Sequence, residues 1–223
     1  MRIARLPPSR RVWIFDLDNT LHDALPHIFP SMHAQIGEFV KRAFGVDDAR
    51  ADEMRRRFWT LYGTTLKGLM RHHGTDPRKY LWETHQFPEL ADMLVHENAV
   101  RHALARLGGR KLVFSNAPRH YVEDVLRGIG LARVFDAVYT IESTRFRPKP
   151  AFQGFRVVLR NHDLDPHRCA LVDDSLENLR AAKRLGMSTV WVAREAVRRA
   201  SYVDLRVGSV TQLPRFVFRY ARE

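Results

Sequence analysis

The sequence is poor in cysteine: Cys169 is the single one in 223 residues. An intramolecular disulfide framework is excluded, and this usage suits a reducing, intracellular home. Long hydrophobic runs are also missing. The first apolar run, Val-Trp-Ile-Phe at residues 12–15, ends in acids. A spanning helix needs about 18 apolar residues or more, so no membrane partner is expected. The basic opening residues lead into no apolar segment of the secretory kind, and a cytoplasmic protein is expected. No glycine-rich dinucleotide or Walker fingerprint is present. Lysine is scarce as well, with 6 lysines beside 31 arginines.

What is present is a basic, well-patterned chain. The 37 Lys+Arg exceed the 25 Asp+Glu, giving a formal net charge of +12. Such an excess invites a nucleic-acid reading, because phosphate neutralisation is the largest sequence-independent part of that binding. The arginines, however, are scattered from Arg2 to Arg222, with short local runs such as 55–57 and 198–199. A scattered excess reads as a solvated surface, and no stable nucleic-acid partner is expected. The 45% apolar and 10% aromatic content excludes a disordered chain. The 11 histidines show no pair at convincing metal-ligand spacing; His72-His73 before Gly74 reads as a helix end.

Apolar, β-branched runs at 12–15, 111–114, 137–141, 169–172, 189–193 and 204–207 read as strands buried on both faces. Cys169 falls in one of them and reads as a small core residue. Helical patterns at 99–107, 119–129, 151–159 and 176–185 lie among them. Alternating strands and helices predict an α/β fold with a doubly wound, Rossmann-like parallel sheet. The exception is residues 24–95, which carry helical periodicity and no convincing strand. Leu25, Ile28, Phe29, Met32, Ile36, Phe39, Val40 and Phe44 are expected on one face, and Met54, Phe58, Leu61 and Tyr62 continue the pattern. The segment is too long for a structureless connection. It is expected to be a four-helix domain inserted into a core made of residues 1–23 and 96–223.

Three of the predicted strands run straight into polar residues. The first meets Asp16-Leu17-Asp18-Asn19-Thr20, the second Ser115-Asn116 and the fourth Asp173-Asp174-Ser175. Ligand sites of open α/β sheets lie at the carboxyl ends of strands. Alternation leaving a strand sets Asp16 and Asp18 on one side and Leu17 on the other. Two carboxylates that close repel unless a cation or a shared proton offsets them. Alone, Ser115-Asn116 reads as a helix cap and Asp173-Asp174 as a turn. Lys149, inside Arg147-Pro148-Lys149-Pro150, reads alone as a loop lysine. The order acids, hydroxyl, lysine, acids is what joins them.

That order resembles the four motifs of the haloacid dehalogenase superfamily, and the 24–95 insert resembles its type 1 cap. The stretches Phe-Asp-Leu-Asp-Asn-Thr-Leu (15–21), Tyr-Gly-Thr-Thr-Leu-Lys-Gly-Leu (62–69), Arg-Pro-Lys-Pro-Ala (147–151) and Val-Asp-Asp-Ser-Leu-Glu-Asn (172–178) are similar to the pyrimidine 5′-nucleotidase subfamily. The resemblance implies a hydrolase in which Asp16 is the nucleophile and Asp18 the general acid and base, which requires Asp18 protonated when substrate binds. It implies Mg²⁺ held by Asp16 and Asp174 and the main-chain carbonyl of Asp18, with Asp173, standing where the family often has Gly, a ligand directly or through water. Lys149, Ser115 and Asn116 would bind the phosphoryl group. Dehalogenases of the group lack the second acid, so Asp18 points to phosphate esters. The expected substrate is a small phosphate monoester, a pyrimidine nucleoside 5′-monophosphate, with Tyr62, Thr65, Lys67 and Arg145 as its further contacts and Phe58 as core. A sugar-phosphate phosphatase or phosphomutase uses the same acid pair. A basic regulatory or nucleic-acid-binding module would have no need of Asp18.

Overall fold

The computed structural model describes residue 7 and residues 10–194 and 200–220, the last three by backbone alone. Arg2 and the 198–199 arginine run lie outside the described residues. The chain divides into two units, Met1–Asp23 with Leu94–Glu223, and Ala24–Met93.

The first unit is built on one six-stranded, all-parallel sheet. Its strands are β1 (Val12–Phe15), β2 (Arg110–Phe114), β3 (Ala137–Tyr139), β4 (Cys169–Asp173), β5 (Ser188–Val192) and β6 (Leu205–Val207). Their spatial order is β3-β2-β1-β4-β5-β6. Every residue of β1, β4 and β5 is buried, as a strand covered on both faces requires. Hence these strands read as mostly apolar runs, with Asp173, Ser188 and Thr189 as their polar members. β3 and β6 are shorter than the pattern predicts, because they are the edges, where only one neighbour pairs.

In the second unit the helices are α1 (Ile28–Phe44), α2 (Asp48–Tyr62), α3 (Thr65–His73), α4 (Pro77–Thr84) and a single turn, α5 (Leu90–Met93). The short fifth helix is one more than the periodicity predicts. Caps fix most of the ends. Asp47 accepts the Arg50 N–H at 2.8 Å and Thr64 the Lys67 N–H at 3.2 Å. Gly45 and Gly63 end α1 and α2 in the left-handed region, where a side chain would be strained. Ile28, Ile36, Phe39 and Val40 are buried along α1 as expected. Leu25 is not: it precedes the helix, so it has no place on the helical face, and it is 59% exposed. Leu61 keeps register with Met54 and Phe58 but sits in the last turn before Gly63 and is exposed.

The remaining helices belong to the first unit: α6 (Val100–Arg106), α7 (Arg119–Gly128), α8 (Phe152–Asn161), α9 (Leu176–Arg184) and α10 (Leu213–Tyr220). α7 buries Tyr121, Val122, Val125 and Leu126, α8 buries Phe155, Val158 and Leu159, and α9 buries Leu179, Ala181 and Ala182. Each stripe follows the 3.6-residue period. The sequence pattern predicted no helix at 213–220. Among the described residues no helix is long and apolar enough to cross a membrane.

Candidate active site

Strand register brings the polar residues together. Phe15 lies opposite Val113 of β2 and Val172 of β4, so the three central strands end level. Asp16 leaves β1 at that end, and its N–H donates to the Val172 carbonyl at 2.9 Å. The chain then turns through Asn19, whose φ of 57° is one that Asn tolerates better than most residues. Asp173 ends β4, and Ser115 follows β2.

The centre is Lys149, whose side chain is 1% exposed. Its ammonium donates to Asp16 Oδ1 and to Asp173 Oδ2, both at 2.8 Å. Asn116 fixes the lysine's backbone: its amide donates to the Lys149 carbonyl at 3.0 Å and its carbonyl accepts the Lys149 N–H at 2.8 Å. Thus β2's end holds the β3–α8 loop in place. Ser115 is buried, and its hydroxyl oxygen accepts the Ala117 N–H at 3.0 Å.

Asp173 is completely buried. Besides the lysine, its oxygens accept the Ser175 N–H at 2.9 Å and the Asn178 amide at 3.0 and 3.2 Å. Asp174 accepts from the Asn19 amide at 3.4 Å, and its carbonyl takes the Trp191 indole N–H at 2.9 Å. One carboxylate oxygen from each of Asp16, Asp173 and Asp174 lies within 4.8 Å of the others. Burial first, then Asp173 and Asp174 against the opposing pull of Lys149, pushes Asp16 well above the ordinary carboxylate range. Burial and Asp173 push Asp174 to about 6. The lysine stays charged: burial pulls its pKa down, but Asp16 and Asp173 together raise it above the usual value. Three crowded acids and one ammonium leave an excess of negative charge that a hard, oxygen-seeking dication fits.

Asp18 has a different environment. The Tyr121 hydroxyl donates to its Oδ1 at 2.6 Å, and His22 Nε2 lies 2.9 Å from the same oxygen. The sequence pattern placed Tyr121 only in the buried stripe of α7, gave Asn178 no role and passed over His22. The signal available for Asn178 was a polar residue on an otherwise apolar helix face, which must find a buried partner.

The other expected contacts belong to the helical unit and to the loop ahead of Lys149. Phe58 is buried, as expected of core. Tyr62, Thr65 and Lys67 belong to the helical unit. There the Tyr62 hydroxyl meets His72 Nε2 at 2.5 Å, Thr65 is buried and donates to the Arg55 carbonyl at 3.3 Å, and Lys67 is exposed. Arg145 is exposed in the loop ahead of Lys149 and lines a groove that none of the four acids lines.

Comparison with known proteins agrees with this architecture. The profile of haloacid dehalogenase-like hydrolases matches residues 11–186. The chain belongs to that family. Among curated proteins it is 26% identical over 197 residues to Phosphate metabolism protein 8 of Saccharomyces cerevisiae, covering 82% of this chain and 61% of that one. The match thus spans less than two thirds of the yeast protein. Among solved structures, a HAD phosphatase from Thermococcus onnurineus superposes with a TM-score of 0.66 at 19% identity, over 93% of this chain and 97% of the other. The L-2-haloacid dehalogenase of Xanthobacter autotrophicus superposes with a TM-score of 0.60 at 18% identity, over 93% and 98%. One fold therefore serves phosphatases and dehalogenases, and the chemistry must be read from the side chains.

Proposed function

We propose that the protein is a Mg²⁺-dependent phosphatase of small phosphate monoesters, acting on nucleoside 5′-monophosphates with a preference for pyrimidines. The observation that carries the phosphatase reading is the pair of acids leaving β1 in different settings. Asp16 is held by a buried lysine, and Asp18, two residues on, is held by Tyr121 and His22. A departing halide needs no proton, whereas a departing alkoxide does. The yeast relative's name, which speaks of phosphate metabolism, agrees with that reading. The nucleotide preference rests on the stretches 62–69, 147–151 and 172–178.

In the proposed reaction a carboxylate oxygen of Asp16 forms a bond to phosphorus as the ester P–O bond breaks. The leaving alkoxide takes its proton from Asp18. Asp18 then removes a proton from water, whose oxygen attacks phosphorus, and the Asp16–phosphorus bond breaks to release phosphate. Lys149 keeps Asp16 oriented and offsets charge on the transferring oxygens, with the Ser115 hydroxyl and Asn116 beside it. Asp16, Asp174 and the Asp18 carbonyl would hold the dication, which supplies further neutralisation of the phosphoryl oxygens. Both oxygens of Asp173 are already engaged by Lys149, Ser175 and Asn178, so we assign it to anchoring the lysine. Tyr62, Thr65 and Lys67 of the helical unit are the proposed base and sugar contacts.

The test is a phosphate-release panel on the wild type and Asp16→Asn, with and without Mg²⁺. The variant is expected to stay folded and to lose aryl phosphate hydrolysis. Full activity in it would remove Asp16 as nucleophile. UMP and CMP are expected to give higher kcat/KM than purine nucleotides or glucose phosphates. A flat profile would refute the nucleotide preference and leave the phosphatase reading standing.

A further inference from the structure

On the first unit, away from the acids, lies a groove of about 590 Å³. Arg145 and Arg147 of the β3–α8 loop and Arg156 and Arg160 of α8 line it, together with Ser143 and Gln153. Four arginines thus line one concavity. Among the described residues none of the four has an ion-pair or side-chain hydrogen-bond partner.

That is unlike arginines elsewhere in the chain. Arg50, Arg55, Arg119 and Arg127 each pair with an acid three or four residues away. Around the groove the sequence offers no such acid: from residue 143 to 162 there is no Asp or Glu, while the same stretch holds four arginines and Lys149. Arg156 and Arg160 are also spaced four apart on one helix, where like charges repel. The inner face of α8 is spent on Phe155, Val158 and Leu159, so packing accounts for the fold of this helix but not for its arginines.

We propose that this groove is a binding site for a small polyphosphate anion, one carrying at least two linked phosphoryl groups. The chemistry follows from charge and shape. Each guanidinium presents a planar fork of donors that matches phosphate oxygens two at a time. One phosphate group brings at most about two negative charges, so four arginines lining one groove match two or three phosphoryl groups better than one. The volume is that of a small-molecule site, roughly 300–1,000 Å³, and not of an extended strand track. A nucleoside diphosphate or triphosphate and an inorganic polyphosphate share this chemistry. The site is separate from the acid cluster, and the proposal does not depend on the phosphatase reading.

Calorimetric titration of the full chain with inorganic tripolyphosphate tests this, in buffer free of divalent cations so that the anion is neither chelated nor turned over. Two double variants, Arg156→Gln with Arg160→Gln and Arg145→Gln with Arg147→Gln, remove the arginines of α8 and of the loop in turn. Each is expected to weaken binding by about tenfold or more. The α8 pair should leave Mg²⁺-dependent hydrolysis of an aryl phosphate at the wild-type rate. Affinity unchanged in either double variant overturns the proposal. Equal affinities for tripolyphosphate and a nucleoside diphosphate support it with recognition through phosphates alone; a tighter nucleotide supports it with a nucleotide as ligand. A single-stranded RNA that binds more tightly than either, and is lost in the same variants, overturns it in favour of a nucleic-acid surface.

Discussion

Replacing Lys149 by Met is the most informative perturbation of the acid cluster. The ammonium sits 2.8 Å from Asp16 and 2.8 Å from Asp173, with its side chain 1% exposed. At that separation and an effective dielectric of about 20, each pair attracts by about 6 kcal/mol. Desolvating the lysine offsets several kcal/mol of this. Removing one partner of a buried pair costs about 3–5 kcal/mol, because the other charge stays buried and uncompensated. A domain of this kind has about 5–15 kcal/mol in all, so Lys149→Met should lower the urea midpoint sharply. Without the lysine Asp16 holds its proton more firmly still, so the folded variant takes up a proton as pH falls. The stability gap to wild type should therefore be widest at about pH 7 and narrow toward about pH 5. Urea titrations at both pH values, free of divalent cations, measure it. A loss under about 1 kcal/mol at neutral pH, or a gap that widens on acidification, would refute the argument that Lys149 chiefly neutralises the buried acids.

Three further outcomes are expected. Because Asp174 keeps its proton up to about 6, and a ligand carboxyl must lose its proton to bind, Mg²⁺ affinity by calorimetry should rise through that pH and level off above it. The same raised pKa means that the metal-free wild type gains stability as pH falls from about 6 toward the ordinary Asp value; a pH-independent Mg²⁺ affinity would contradict both statements. Tyr121→Phe removes the hydroxyl that donates to Asp18 at 2.6 Å. It should cost about 1.5–3 kcal/mol and slow aryl phosphate turnover, and wild-type values in both assays would deny the bond its importance. Gly154→Ala would set a methyl 2.8 Å from the Arg147 carbonyl and 3.1 Å from the Phe114 ring; overpacking of this kind should cost about 1–3 kcal/mol, despite alanine's better helix propensity, as a lower denaturation midpoint would show.

The sheet was legible because parallel strands covered on both faces leave continuous apolar runs. Val12–Phe15 is wholly apolar, and Ser188–Val192 is apolar from Val190 on. Ends and edges were less so. α10 begins Leu213-Pro214 and mixes aromatics with Val217, a composition that suits a strand as well as a helix. In the cluster, the residues that stand at strand ends announced themselves by position, and Lys149 does contact both Asp16 and Asp173. The partners that hold them did not. Tyr121 satisfies the apolar period of α7 whatever its hydroxyl does, and Asn178 reaches Asp173 from a helix whose periodicity says only that its face is buried. Periodicity reports burial but is silent on which polar atom a buried face delivers. Arg145, four positions before Lys149 in sequence, lines a groove that none of the four acids lines.

The helical unit leaves the core after Asp23 and the chain returns at Leu94, and the two points are tied together. The Asp23 N–H donates to the Val95 carbonyl at 2.7 Å in an antiparallel bridge. About seventy residues are thereby closed into a ring between those two points. Swapping the whole insert for a turn, or for another bundle of any length, would change the cost of ring closure by only about 0.6 kcal/mol per doubling. The strand ends that carry Asp16 and Asp173, and the loop that carries Lys149, lie outside the insert and would keep their places through such a swap. The architecture thus lets natural selection rewrite whatever the insert recognises while the reacting groups stay where they are.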